Sequence, residues 1–106
     1  MTSSQQFITQ GRDANEPEII AAFQAAGASV VKIHEYADLL VGYQGVTLLV
    51  EVKTLTGKFK PRQLDFQRDW RGQYWVVRSV EAALELIEAT RKMVECLDGQ
   101  ANNENI

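Results

Sequence analysis

The stretch that decides the fold is ADLLVGYQGVTLLVEVK, residues 37–53. It contains two runs rich in β-branched and apolar residues, 38–43 and 46–53, and each run predicts a strand. Gln44 and Gly45 lie between the runs and have the composition of a tight two-residue turn. The stretch therefore predicts a β-hairpin.

The second strand of this hairpin carries charges among apolar residues. Because side chains alternate along a strand, Glu51 and Lys53 share one face. A strand this apolar is expected to be covered on both faces, where charges are costly unless they are paired or bind an ion. A two-residue turn pairs Tyr43 with Val46, and this register places Asp38 opposite Glu51.

Two carboxylates at this separation repel each other unless a cation lies between them. An oxygen-rich ligand set of this kind suits Mg²⁺ or Mn²⁺, with water and a substrate phosphate completing the coordination shell. The alternative interpretation is a plain ion pair between Glu51 and Lys53 on the solvated face of an unrelated α/β interaction protein.

The sequence on either side of the hairpin predicts the element order αβββαβα. A helix over 15–26 contains Pro17 in its first turn and ends at Gly27, and a strand over 30–36 precedes the hairpin. After the hairpin we expect a helix that begins at Pro61 and ends at Gly72, a strand over 74–78 and a helix from Ser79 to about residue 96.

Length and composition are those of one globular domain. The chain has 106 residues, of which 45% are hydrophobic and 24% charged, and these values argue against disorder and against a disulfide scaffold. We expect a domain over residues 14–96 between flexible tails at 1–13 and 97–106. The single Cys96, the lack of a signal-peptide pattern and the short apolar runs predict a cytoplasmic protein without a membrane span.

The net charge of −3 hides an uneven distribution. Residues 53–71 contain six basic side chains against two acidic ones, although the whole chain is acidic. This local surplus of positive charge beside a carboxylate cluster is expected to attract the phosphate backbone of DNA. The candidate DNA-binding residues are Lys58, Lys60, Arg62, Arg68 and Arg71.

The motif and the element order together resemble the PD-(D/E)xK nuclease superfamily. The motif here is Ala37-Asp38, twelve intervening residues, and Glu51-Val52-Lys53. The resemblance is strongest to small phage-type VRR-NUC-like nucleases. It is carried by the stretches NEPEIIAAFQAAGASV, ADLLVGYQG, LLVEVK, PRQLDFQRDWRG and VVRSVEAALELI, which span roughly residues 15 to 87. It implies a restriction-endonuclease-like core, in which helices flank a mixed central sheet.

The resemblance also assigns roles to the motif residues. It implies that Asp38 and Glu51 are carboxylate ligands of Mg²⁺, for which Mn²⁺ would substitute, and that the backbone carbonyl of Val52 completes the protein ligands. Lys53 would position the attacking water and stabilise developing charge. This sequence has Ala37 where the family usually has proline, and it lacks the glycine-rich stretch that often precedes the aspartate.

Three further residues are candidate site residues, and each also has an alternative interpretation. Glu18 matches an additional acid on the first helix, or it interacts with the helix dipole. Gln63 matches a glutamine that would orient water or contact phosphate, or it is merely solvated. His34 is an accessory acid or base, or an ordinary surface or core histidine. Glu16 is a weaker candidate, because it precedes Pro17 and is expected to end the tail.

The function that the resemblance implies is metal-dependent hydrolysis of phosphodiester bonds by a DNA endonuclease. Structured or branched DNA of recombination or repair is the expected substrate, and a phage or prophage is the expected source. The short domain leaves much of a duplex uncovered, so we expect a homodimer. The alternative is a non-catalytic module that keeps the nuclease fold and binds nucleic acid or a protein partner.

Overall fold

The computed structural model describes residues 13–104, and the surroundings of side chains through residue 98. The predicted N-terminal tail, residues 1–13, lies outside the described residues except for Asp13. The elements are α1 (Glu16–Ala25), β1 (Ser29–Lys32), β2 (Leu39–Tyr43), β3 (Val46–Val52), α2 (Pro61–Asp69), β4 (Trp75–Val77) and α3 (Val80–Glu104). The predicted element order is confirmed over this part of the chain, which is a small α/β domain.

The described strands form one mixed sheet with the order β1-β2-β3-β4. The strands β1, β2 and β3 are antiparallel neighbours, whereas β4 runs parallel to β3. A parallel neighbour requires a crossover connection, and α2 supplies it. This crossover brings α2 close to the end of β3, where the motif residues lie.

The hairpin of β2 and β3 has the predicted turn and register. Tyr43 pairs with Val46, and the ladder continues to Leu39 opposite Val50. Gln44 and Gly45 have φ angles of +50° and +82°, the left-handed values that a type I′ turn requires at both central residues. The turn therefore sets the register that brings Asp38 toward Glu51.

One face of the sheet forms the hydrophobic core with α1 and α3. Buried residues alternate along the first part of β2 and of β3, whereas Val50, Glu51 and Val52 at the end of β3 are all buried. The core consists mainly of Ile19, Phe23, Leu39, Val41, Leu48, Val50, Val52, Val77, Ala83, Leu86 and Ile87. The opposite face, which carries Glu51, is met by α2 through a hydrogen bond from Gln63.

The predicted strand over 30–36 was wrong beyond Lys32, where β1 ends. Lys32 pairs with Leu39, so the residues between them must reverse the chain direction. Hydrogen bonds close this connection, from the Ile33 amide to the Asp38 carbonyl at 2.8 Å among others, and Tyr36 adopts a φ of +74°. A run of β-prone residues thus forms a turn, because antiparallel pairing leaves it no partner strand.

The last helix extends further than predicted. Ser79 caps it as expected, since its hydroxyl accepts a hydrogen bond from the Ala82 amide at 3.0 Å. The helix continues through Gly99 to Glu104, into the segment expected to be a tail. One glycine costs about 1 kcal/mol relative to alanine inside a helix, which does not suffice to end it. Within residues 13–104, no helix has the length and apolar content of a membrane span.

The turn residue Gly45 provides a test of the hairpin. A Cβ at Gly45 meets open space, so Gly45→Ala changes only the left-handed backbone preference. We expect it to lower the free energy of unfolding by about 1–2 kcal/mol, measured by urea denaturation. Gly42→Ala is the matched control, because Gly42 also faces open space and lacks a positive φ. Equal losses in both variants would contradict the role assigned to the turn.

Candidate active site

The candidate site lies at the start of β2 and the end of β3. Asp38 immediately precedes β2, and its backbone amide donates a hydrogen bond to the Val50 carbonyl at 3.1 Å. Its side-chain oxygen Oδ2 accepts a hydrogen bond from the Val52 amide at 2.8 Å. The backbone of β3 therefore fixes both the position and the orientation of the Asp38 carboxylate.

Glu51 and Lys53 are the buried charges of the site. Their exposed fractions are 3% and 8%, and the Lys53 ammonium lies 3.5 Å from Glu51 Oε2. Burial is costly for both charges, so the pair needs further partners. The Lys53 ammonium also lies over the ring of Phe59, at 5.5 Å from its centroid, which gives the cation a second favourable contact.

Burial and neighbouring charges shift the pKa of Glu51. Burial raises its pKa from 4.5 to about 7, and the negative charge of Asp38 adds to the shift, while Lys53 opposes it. Burial also raises the pKa of Tyr74 to about 12, with a smaller contribution from the Glu51 charge. The protein therefore holds its two carboxyl groups at a separation where full ionisation of both is unfavourable.

Gln63 connects α2 to both buried charges. Its Oε1 accepts hydrogen bonds from the Lys60 amide at 2.8 Å and from the Lys53 ammonium at 3.1 Å, and its Nε2 donates to Glu51 Oε2 at 2.9 Å. The bond to the Lys60 amide is the backward half of a capping box at the start of α2. Gln63 is therefore not merely solvated, since one side chain caps the helix and fixes both charged groups.

Glu18 and Glu16 occupy opposite environments on α1. Glu18 is exposed, and it does not line the cavity described below. Glu16, the weaker candidate in the sequence, is 3% exposed at the start of the helix. Its spacing of three and seven residues from Ile19 and Phe23, both buried, is the signal that places it on the inner face.

Sequence reasoning missed two side chains that organise the backbone around the site. Asn15 precedes α1 but does not cap it; its amide nitrogen donates to the carbonyls of Lys53 at 3.1 Å and Arg78 at 3.2 Å. The Arg78 guanidinium donates to the carbonyls of Thr54 at 2.7 Å and Gly57 at 2.9 Å. These contacts link segments far apart in the chain, and no local pattern predicts them.

A polar cavity of 660 Å³ opens onto the carboxylates. Its lining includes Lys60 and Arg62, two of the predicted DNA-binding residues. The complete lining is His34, Glu35, Tyr36, Ala37, Asp38, Glu51, Lys60, Arg62, Gln63 and Phe66. The exposed His34 is therefore at the cavity wall rather than in the core.

The other predicted DNA-binding residues lie outside this cavity. Lys58 and Arg71 are exposed on either side of α2. Arg68 pairs with Asp65 at 3.2 Å and with Asp69 at 2.9 Å, and these carboxylates raise its pKa. Arg68 therefore contributes less unpaired positive charge than the sequence suggests, whereas Lys60 and Arg62 line the cavity that the carboxylates also line.

The donor set fits a hard divalent cation that keeps part of its water shell. No cluster of three or more His, Cys, Asp or Glu side chains suited to a metal occurs within the described residues. Two carboxylates are nevertheless close enough for the charge on Asp38 to raise the pKa of Glu51, and a cation between them would relieve that repulsion. Mg²⁺ is commonly held by one or two carboxylates together with water and substrate phosphate.

Comparison with known proteins finds no matching protein-family model, no matching curated protein and no matching solved structure. The function of this chain is therefore inferred from its own residues and their geometry.

Replacing Glu51 by glutamine tests the strain between the carboxylates. In metal-free protein, the raised pKa means that the contribution of Glu51 to folding stability is fully present below pH 4.5 and is lost as the pH rises to about 7. Glu51→Gln keeps an acceptor for Gln63 and removes the buried charge. At pH values above about 7, we expect it to raise the free energy of unfolding by on the order of 1–3 kcal/mol. Urea denaturation with a chelator present measures this change.

Glu88→Gln is the matched control for this measurement. Glu88 is exposed on α3, and its pKa is lowered by Arg91, so its ionised form is favoured in the folded protein. We expect this control to show no gain in stability at high pH. A Glu51→Gln variant with the pH profile of the unmodified chain would contradict the proposed strain.

Proposed function

We propose that this chain is a divalent-metal-dependent DNA endonuclease of the PD-(D/E)xK type. The observation that carries the proposal is the buried Glu51 beside Asp38, with the buried Lys53 as its ion-pair partner. A structural domain gains nothing from such a cluster, because replacing a buried ion pair by apolar residues is often neutral or stabilising. A hydrolytic site for phosphodiesters needs these groups.

The architecture supports the same proposal. Three antiparallel strands are followed by a crossover helix and a parallel strand, with helices against both faces of the sheet. This is the αβββαβα order of restriction-endonuclease-like cores, which the sequence also resembles. The predicted carboxylates and lysine occur together at one end of the hairpin, as that kind of core requires.

The metal would be held by the carboxylates of Asp38 and Glu51 and by the backbone carbonyl of Val52. Glu18 is left out of this proposed ligand set, because it is exposed on α1. When bound, Mg²⁺ or Mn²⁺ polarises a phosphoryl oxygen and lowers the pKa of water. All three proposed ligands are oxygen donors, the type that these two cations prefer.

The remaining residues would supply fixed charge and orientation. The Lys53 ammonium, held by Gln63 and by the Phe59 ring, is a preorganised cation for the charge that develops on the phosphate in the transition state. Lys60 and Arg62 at the cavity would attract the DNA backbone toward the carboxylates. Because Gln63 keeps Lys53 in place, the lysine needs little reorganisation during the reaction.

We also propose that the protein acts as a homodimer on structured or branched DNA. On α3, Leu86 and Thr90 are buried, and the same stripe continues at helical spacing to Met93 and Leu97, which are exposed. An apolar stripe that extends past its own core suits a second copy of the chain. Two copies would present two sites, as cutting both strands of a junction requires.

Cleavage assays test the catalytic proposal. Purified protein with Mg²⁺ or Mn²⁺ should cut at least one member of a panel of linear, nicked, flapped and four-way DNA. Asp38→Asn should remove a metal ligand, and Lys53→Met should remove the fixed cation while keeping its length. We expect each variant to lose at least about 100-fold in cleavage rate.

Lys92→Met is the matched control, because Lys92 is an exposed lysine on α3 far along the chain from the site. It should cut at the rate of the unmodified protein. Activity retained in Asp38→Asn, prepared in the same way, would contradict the residue assignment. Binding of DNA without cleavage of any substrate would instead favour the non-catalytic module.

Sedimentation tests the dimer. Leu97→Glu places a charge on the exposed part of the α3 stripe, where the side chain has no role in the core. We expect the unmodified chain to sediment as a dimer at tens of micromolar and Leu97→Glu to sediment as a monomer. A monomer in both samples would contradict the proposed assembly.

A further inference from the structure

An apolar cavity of 1020 Å³ lies beside the polar one on the same side of the domain. The exposed Leu40 and the half-buried Leu49 line it, and Tyr36, Phe66 and Trp70 contribute aromatic rings. The two cavities share four lining residues: His34, Glu35, Tyr36 and Phe66. The two cavities therefore adjoin each other along these residues.

The three rings form a short stack. The Tyr36 and Phe66 centroids are 5.2 Å apart, and the Phe66 and Trp70 centroids are 5.3 Å apart with an interplanar angle of 23°. The stack is nevertheless open to solvent, since Tyr36 is 66% and Trp70 44% exposed. Part of the apolar surface of Tyr36 and Trp70 is therefore exposed next to the polar cavity.

Trp70 is held in a fixed orientation. Its indole N–H donates a hydrogen bond to the Gln73 carbonyl at 3.0 Å. The ring also lies against Gly72, where a Cβ would approach it to 2.8 Å. A fixed ring loses little conformational entropy when a flat ligand stacks on it, which favours binding.

We propose that this aromatic surface binds an unpaired base of the substrate, so that the enzyme acts on DNA with a single-stranded nucleotide next to the cleaved phosphate. This inference rests on the proposed nuclease function and names its substrate class. A base stacks on an aromatic ring only when its neighbouring base has been removed from that face. Paired bases inside a duplex offer no such face, whereas flaps and branch points do.

The cations near the aromatic surface favour a ligand that combines an apolar ring with an anionic group. Lys60 and Arg62 line the polar cavity that continues from the aromatic surface. A nucleotide has a flat apolar base and an anionic phosphate, so its base would lie against the exposed rings of Tyr36 and Trp70 while its phosphate approached these cations. The proposed dimer uses α3 and leaves this surface open for the ligand.

Tryptophan fluorescence tests the proposal without cleavage. The chain has two tryptophans, so Trp75→Phe leaves Trp70 as the single reporter. A chelator prevents hydrolysis, and the probes are a short oligothymidylate, an abasic strand of the same length, and a duplex. We expect the oligothymidylate to quench Trp70 and to bind more tightly than either of the other probes.

Binding to variants of the full chain, measured by anisotropy of labelled strands, locates the surface. Trp70→Leu and Tyr36→Asn each remove one ring, and asparagine tolerates the left-handed φ of residue 36. We expect each to weaken oligothymidylate binding roughly 5- to 100-fold and to leave abasic-strand binding unchanged. Trp75→Leu is the matched control, because Trp75 is 43% exposed but pairs with Val50 and so shares the opposite face of the sheet.

The outcomes separate this inference from the nuclease proposal. Equal losses for the abasic strand and oligothymidylate, or equal losses in Trp75→Leu, would overturn the stacking surface even if the protein cleaves DNA. Base-dependent binding without any cleavage would support the surface and contradict the nuclease. Dissociation of the dimer in Trp70→Leu, with binding unchanged, would overturn the proposal in favour of a second copy of the chain on this face.

Discussion

The burial of Glu51 and Lys53 is the constraint on which the rest of the site depends. Two opposite charges in a nearly dry environment are unfavourable unless each also has hydrogen-bond partners. Gln63 supplies a partner to both, and it does so from α2 rather than from the sheet. The packing of α2 on the sheet is therefore tied to an electrostatic requirement as well as to apolar contact.

This arrangement explains why a short helix with no fully buried residue has a defined place. The apolar core lies on the other face of the sheet, against α1 and α3. α2 is fixed instead by the Gln63 bonds, by the crossover geometry between parallel strands, and by the contacts of Phe66 with neighbouring rings. Polar and aromatic contacts thus position the part of the domain nearest the carboxylates.

Local patterns in the sequence predict most of the fold because the relevant interactions are local. The Gln44-Gly45 turn determines the hairpin register, and Ser79 determines where α3 begins. The strand predicted over 30–36 was wrong beyond Lys32 because a β-prone composition does not reveal whether a partner strand is available. The end of α3 was predicted too early, because the loss of the apolar stripe after about residue 96 does not by itself end a helix.

Some features of the candidate site could likewise be predicted from local sequence, and others depend on contacts between distant segments. Asp38 and Glu51 are brought together by the hairpin, so their proximity could be predicted from the turn alone. The roles of Asn15 and Arg78 depend on contacts between distant segments, and single residues with many alternative uses carry no signal for them. Glu16 could have been found from its periodicity with Ile19 and Phe23, since it lies within the helix predicted over 15–26.

Tyr36 shows how this domain balances stability against the shape of its cavity. A bulky residue with a φ of +74° stores backbone strain of order 1–3 kcal/mol, which glycine would largely avoid. Glycine would also remove the ring that lies over Phe66 between the two cavities. The connection between β1 and β2 therefore keeps an aromatic ring between the two cavities at a cost in backbone strain.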